Sequence, residues 1–262
     1  MIGTLFVETL RRNRLLAMLG FAHLALFVVL IAAVLLDPAE ILGVNRWIKP
    51  MKFAISIAIF LLTMAWLLSY LEGSRRAVAV ISRIVAITMT GEIVLIALQA
   101  FRGVQSHFNY GSAFDAVVFS MMGMLILANT FAAGYAWILF LRRPASIGGA
   151  HLSGVRLGLL LFFFASLIGG VMVGKGAHSV GVHDGGPGLP VVNWSTTGGD
   201  LRIAHFAGMH ALQALPLLGW FLERRQTSNG RRWVQLSALA LTAATMLLLL
   251  QALAGRALLA SG

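Results

Sequence analysis

The sequence predicts an all-α, polytopic integral membrane protein with seven transmembrane helices, N-terminus inside and C-terminus outside. Three observations predict it. Of the 262 residues 59% are apolar and only 11% charged, against about 25% charged in an average soluble domain. The apolar residues fall in seven blocks of 18 to 26 residues, close to the ~20 that cross ~30 Å of hydrocarbon at ~1.5 Å per residue. With the N-terminus inside, 13 of the 20 Lys and Arg residues lie on the inner side and seven on the outer, and the pairs Arg75-Arg76, Arg142-Arg143 and Arg224-Arg225 are all inner, as the positive-inside rule requires.

The blocks run 15–36, 53–71, 84–101, 116–141, 157–174, 203–222 and 233–255 of a single membrane domain spanning 1–262. The first follows Arg11, Arg12 and Arg14 but exceeds the apolar core of a signal peptide and carries no convincing small-x-small cleavage site, so it reads as retained. Alternating barrel-strand patterning is absent. The net charge of +11 sits at helix ends in short turns, which argues against nucleic acid and for a multi-pass protein of a cell or inner membrane, its partner the lipid bilayer. There is no Cys, so any metal would need His, carboxylate or Met.

The inner turns are short. The outer side carries three unusual segments: Asp37 to Lys52, Arg102 to Asp115, and Lys175 to Arg202. The site is therefore expected on the extracytoplasmic side. The last segment, rich in glycine and too long for a default connection, reads as a structured lid anchored by Val191, Val192 and Trp194, with a floppy surface loop as the alternative.

Glu92 in the third block is the costliest residue. It lies about 12 Å beyond Ile84, where an unpaired charge is disfavoured by at least ~2.5 kcal/mol. It must face protein. At ~100° per residue Gln99 and Ser106 fall within about 20° and 40° of it and Arg102 about 80° aside, a polar stripe that serves as a proton relay or substrate carboxylate, or merely as an interhelical hydrogen bond.

In the sixth block Asp200 is expected as N-cap, followed by an arc of Arg202, His205, Met209, His210 and Gln213, with Pro216 kinking the helix below it. His205 and His210, five apart, sit about 140° around a regular helix, awkward for one metal. His107 is expected in the same outer layer. Together His107, His205 and His210 are the metal candidates, for a transition metal or haem, with Asp200, Asp115 or Met209 completing the set. The rival reading is neutral histidines in a hydrogen-bonded cavity. His23, alone on the apolar first block, is either an interhelical hydrogen bond or an axial ligand; His178 and His183 belong to the lid, and the sequence alone suggests no role for His151.

Arg46, Lys49 and Lys52 stand at three-residue spacing around Trp47, with Pro50 in the first turn of the second helix. They are either an interfacial anchor or, with Arg102 and Arg202, a clamp for a carboxylate, phosphate or lipid headgroup. No lysine lies in the seventh block, which excludes a retinal protein. The seven-helix membrane hydrolases of the ceramidase and adiponectin-receptor type are similar in topology and in combining a Ser-His pair with a two-His helix. Here Ser106-His107 and His205/His210 lie on the third and sixth helices, the spacing of the two-His motif is one residue too long, and both sit on the outer side, so the zinc chemistry of that family is not carried across.

These features predict a site between helices three and six near the outer leaflet. Glu92, His107 and His205 are its catalytic candidates, and Lys49, Lys52, Gln99, Arg102, Asp200, Arg202 and Gln213 its binding residues. A membrane-embedded enzyme or a metal- or haem-binding protein is the first reading, and a transporter or sensor of a small anionic solute the second; whether the protein is an enzyme stays open.

Overall fold

A computed structural model describes residues 2–259; the ends of the expected domain, residue 1 and residues 260–262, lie outside the described residues. Helices α1 (Ile2–Arg12), α2 (Arg14–Leu36), α3 (Ile48–Leu68), α4 (Arg75–Phe101) and α5 (Ala113–Arg142) come first, with a hairpin of β1 (Glu40–Ile41) and β2 (Val44–Asn45) between α2 and α3. Then follow α6 (Gly149–Lys175), a hairpin of β3 (Ser179–Val180) and β4 (Gly199–Asp200), α7 (Leu201–Met209), α8 (Ala211–Arg224) and α9 (Gly230–Leu253).

Six of these helices, α2 to α6 and α9, are long and apolar enough to cross a membrane, the architecture of an all-α, multi-pass membrane protein. The sixth apolar block, read as one helix over 203–222, is instead broken at His210 into α7 and α8. The Phe206 carbonyl accepts from both the backbone N–H and the ring Nδ1 of His210, and the chain then tightens into an i+3 turn, Gln213 N–H donating to the His210 carbonyl at 3.1 Å. Pro216, expected to kink the helix, lies inside α8. Several helices also start earlier than their apolar blocks. α4 begins at Arg75 and α6 at Gly149, because Arg75, Arg76 and Arg83, or His151, Ser153 and Arg156, interrupt hydropathy without disfavouring a helix.

The chain divides into two compact units, Met1–Leu139 and Phe140–Gly262. In the first, α2 packs closely on α3: a Cβ on Gly20 would come within 2.8 Å of the Leu62 side chain. The N-terminal segment, which the apolar blocks do not reveal, is an amphipathic helix tied to this pair. Trp66 Nε1 donates to Thr9 Oγ1 at 3.0 Å, and the Arg12 guanidinium lies 4.0 Å from the Trp66 ring centroid. Asn13 caps α2 and donates to Ser82 Oγ of α4 at 2.7 Å. The β1–β2 hairpin closes through Leu42 and Gly43, both at positive φ, the conformation that two-residue hairpin turns need. Asp37 holds its base. The Ala39 N–H, the Trp47 indole and Arg46 all donate to its carboxylate and keep it below the usual carboxylate range.

In the second unit α6 carries glycines four apart. A Cβ on Gly154 would fall 2.2 Å from the Leu215 carbonyl oxygen, and one on Gly158 2.8 Å from that of Ala211. From the other side Gly219 approaches the Ala150 carbonyl equally closely. The two backbones therefore touch, as small-residue membrane interfaces do. The segment between α6 and α7 is ordered. β3 pairs with β4, Gly188 bridges to Ser195, and Gly199 lies against the Ala252 backbone at the end of α9.

Candidate functional site

Glu92 lies on the buried side of α4, 1% exposed, and neither carboxyl oxygen has a hydrogen-bond partner among the described residues. Thr88 and Gln99, also buried, share that face. The charged group acting on Glu92 is the ammonium of Lys49, in the first turn of α3, where Pro50 stands as expected. Lys49 Nζ lies 3.2 Å from His107 Nδ1, and Ser106 Oγ is 3.0 Å from the same nitrogen. An ammonium only donates, so Nδ1 accepts and the His107 proton sits on Nε2. Around the ring stand Phe53, Phe108 and Phe119, with centroids 6.0 to 6.1 Å away.

The helix face expected to bear Glu92, Gln99 and Ser106 carries only the first two. α4 ends at Phe101, and Gly103 at φ 73° turns the chain so that the Val104 N–H returns to the Gln99 carbonyl. Ser106 and His107 reach the site through the loop that follows. Phe108, next in that loop, holds φ 55°, a conformation uncommon for a bulky residue, which marks a constrained position. It also lines an open groove of about 630 Å³ between the β1–β2 hairpin and residues 103–111.

Beside this cluster Asp115 is fully engaged. Gln99 Nε2 donates to it at 2.9 Å, Ser112 Oγ at 2.7 Å, and Arg102 pairs with it and with Gln99. Arg46 is likewise matched by Asp37, and Arg202 by Asp200 and the Asn193 carbonyl. Three of the five cations expected to clamp an anion therefore already balance carboxylates. Lys52, half-buried, follows Lys49 by one turn of α3.

Asp200, Arg202, His205, His210 and Gln213 lie in the second unit. Asp200 is the N-cap of α7, accepting from the Arg202 N–H. His205 Nδ1 lies 2.8 Å from the Ala165 carbonyl and His210 Nδ1 2.9 Å from that of Phe206. The break at His210 removes the regular arc on which the five residues were expected. His178 and Asp184 form a pair at 2.9 Å inside the ordered segment. Burial alone would raise the Asp184 carboxyl, but hydrogen bonds from the His178 ring and backbone and from Ser179 hold it well below the usual carboxylate range.

Among the described residues no group of three or more His, Asp or Glu is placed to hold a metal ion. The Lys49–His107 pairing went unforeseen because 58 residues separate its members; the one hint was that both follow apolar-block boundaries on the side assigned as outer. Compared with known proteins, the chain matches no family model, no curated protein and no solved structure.

Proposed function

We propose that this membrane protein is a transporter or sensor of a small anionic solute, and that solute binding is coupled to protonation of Glu92. The observation that carries the reading is a carboxyl group buried in a membrane-spanning helix with neither oxygen hydrogen-bonded among the described residues, within the electrostatic reach of Lys49. An ionised Glu92 and an anionic solute compete for the same ammonium. Taking up a proton at Glu92 releases Lys49 to the solute, and losing it draws Lys49 back. The aromatic ring set around His107 suits the apolar body of a carboxylate, with Nε2–H as a second donor. The groove ending at Phe108 serves as the entrance on the extracytoplasmic side, with α7 and α8 jointly forming a seventh crossing. The Lys175 to Arg202 segment is the lid of the second unit. The test is a melting-temperature scan of the purified protein against acetate, benzoate and phosphate from pH 5 to 8. Stabilisation should strengthen as pH falls, and no stabilisation by any of the three at any pH would count against solute binding.

A cofactor-binding role is favoured by a separate observation. His23, His205 and His210 each place Nδ1 against a backbone carbonyl, at 2.7, 2.8 and 2.9 Å. A carbonyl only accepts, so the proton is on Nδ1 and the lone pair of Nε2 points away, as in metal-ligating histidines. The Nε2 of His23 is buried without a partner among the described residues. A haem or transition metal would reveal itself in the absorption spectrum and metal content of the purified protein; a colourless, metal-free preparation would remove this reading.

A further inference from the structure

At the opposite end of α4 from His107, a groove of about 320 Å³ runs between the starts of α2 and α4. Leu15 and Val78 line its walls, Asn13 and Ser82 its polar floor, and Arg75 and Arg83 its rim. The two arginines are eight residues apart, about 12 Å along the helix. α4 has 27 residues, about 40 Å, which exceeds the ~30 Å of hydrocarbon by only ~10 Å. With the whole excess on the Arg75 side, the backbone of Arg83 stands within ~2 Å of the boundary of the apolar layer, with its side chain in reach of the headgroups. Both arginines are exposed, and neither takes part in an ion pair among the described residues.

Two guanidinium groups at or near the headgroup level favour an anion, and neither is paired with one among the described residues. We propose that this groove binds an anionic phospholipid, whose phosphate is drawn down between Arg75 and Arg83 while its acyl chain lies along Leu15 and Val78. Guanidinium groups match phosphate oxygens in bidentate geometry, and basic pockets between membrane helices suit such headgroups. Arg14 and Arg76, exposed at the same end, add to the field that favours an anionic over a zwitterionic lipid. The site does not depend on the solute-binding reading, which concerns the other end of α4.

The test uses the full-length protein in neutral detergent, with added phosphatidylglycerol, phosphatidylcholine or inorganic phosphate. Phosphatidylglycerol at about 100-fold excess over its dissociation constant should raise the melting temperature by about 5 °C, with phosphatidylcholine and phosphate giving no comparable rise. R83Q and R75Q should each lose most of that rise while melting as wild type in phosphatidylcholine, and R231Q on α9 should keep it. An equal rise with phosphatidylcholine would leave Arg83 merely snorkelling, and an equal rise with inorganic phosphate would mean a soluble anion; either overturns the proposal. Should R83Q fail to fold, the comparison of the three additives on wild type and R75Q decides alone.

Discussion

The ammonium of Lys49 lies 3.2 Å from Nδ1 of His107, joining the first turn of α3 to the loop after α4. The contact fixes the histidine tautomer and places a positive charge in the field of Glu92. Removing that charge should disable solute binding without unfolding the protein. K49M is expected to weaken anion binding at least tenfold, in line with the ~1.5–3 kcal/mol of a hydrogen bond to a charged group, while K49R retains part of it. Equal affinity in K49M would remove Lys49 from the site.

The contact between α6 and α8 gives a sharper stability prediction. Gly154→Ala forces a Cβ against the Leu215 carbonyl and should destabilise by at least ~1–3 kcal/mol, as overpacking does. Gly170→Ala on the same helix meets nothing within 4 Å and should be neutral or stabilising by up to ~1 kcal/mol. Thermal melting of the two variants checks the contrast, and similar melting temperatures would contradict it.

Asp184 makes the loop between α6 and α7 sensitive to strong acid. Its carboxyl is held below its unfolded value, so its contribution is fully present above the usual carboxylate range and is lost as pH falls through the lowered native value. Hydrogen-exchange protection over residues 176–200, taken relative to the intrinsic rate at each pH, should therefore hold at neutral and mildly acidic pH and fall only in stronger acid. Asp184→Asn should show fast exchange already at pH 7. Unchanged protection in that variant would mean the β3–β4 pairing alone orders the loop.

Topology is open to a direct reading. A reporter fused after Gly262 should be active outside and one inserted between Arg224 and Arg232 inside. Finding both on the same side would mean that α9 does not cross.

Much of the fold was legible because hydrocarbon imposes a length and a composition on every crossing. The boundaries of α2 follow directly from that constraint, the capping role of Asp200 from local hydrogen-bond chemistry, and the burial of Glu92 from the cost of placing a charge there. Less legible was whatever depends on one backbone angle or on distant contacts. Gly103 ends α4 before Ser106, which no periodicity signals. The interruption at His210, where ring and backbone N–H share the Phe206 carbonyl, falls at a residue that carries no helix-breaking signal in the sequence. α1 is too short and too polar for a hydropathy search. At the site, Glu92 and Gln99 could be placed on one face by counting residues, but the engagement of Arg102 by Asp115 and the approach of Lys49 to His107 are products of tertiary packing.

The most direct test of proton-coupled binding compares wild type with Glu92→Gln, which keeps the shape of the side chain and removes its titration. Isothermal titration with the best-stabilising anion of the three should show wild-type affinity falling as pH rises, approaching about tenfold per unit where one proton is taken up with the solute. Glu92→Gln should bind with an affinity that no longer depends on pH. A variant that retains the wild-type pH slope would place the coupled proton elsewhere and contradict the role assigned to Glu92.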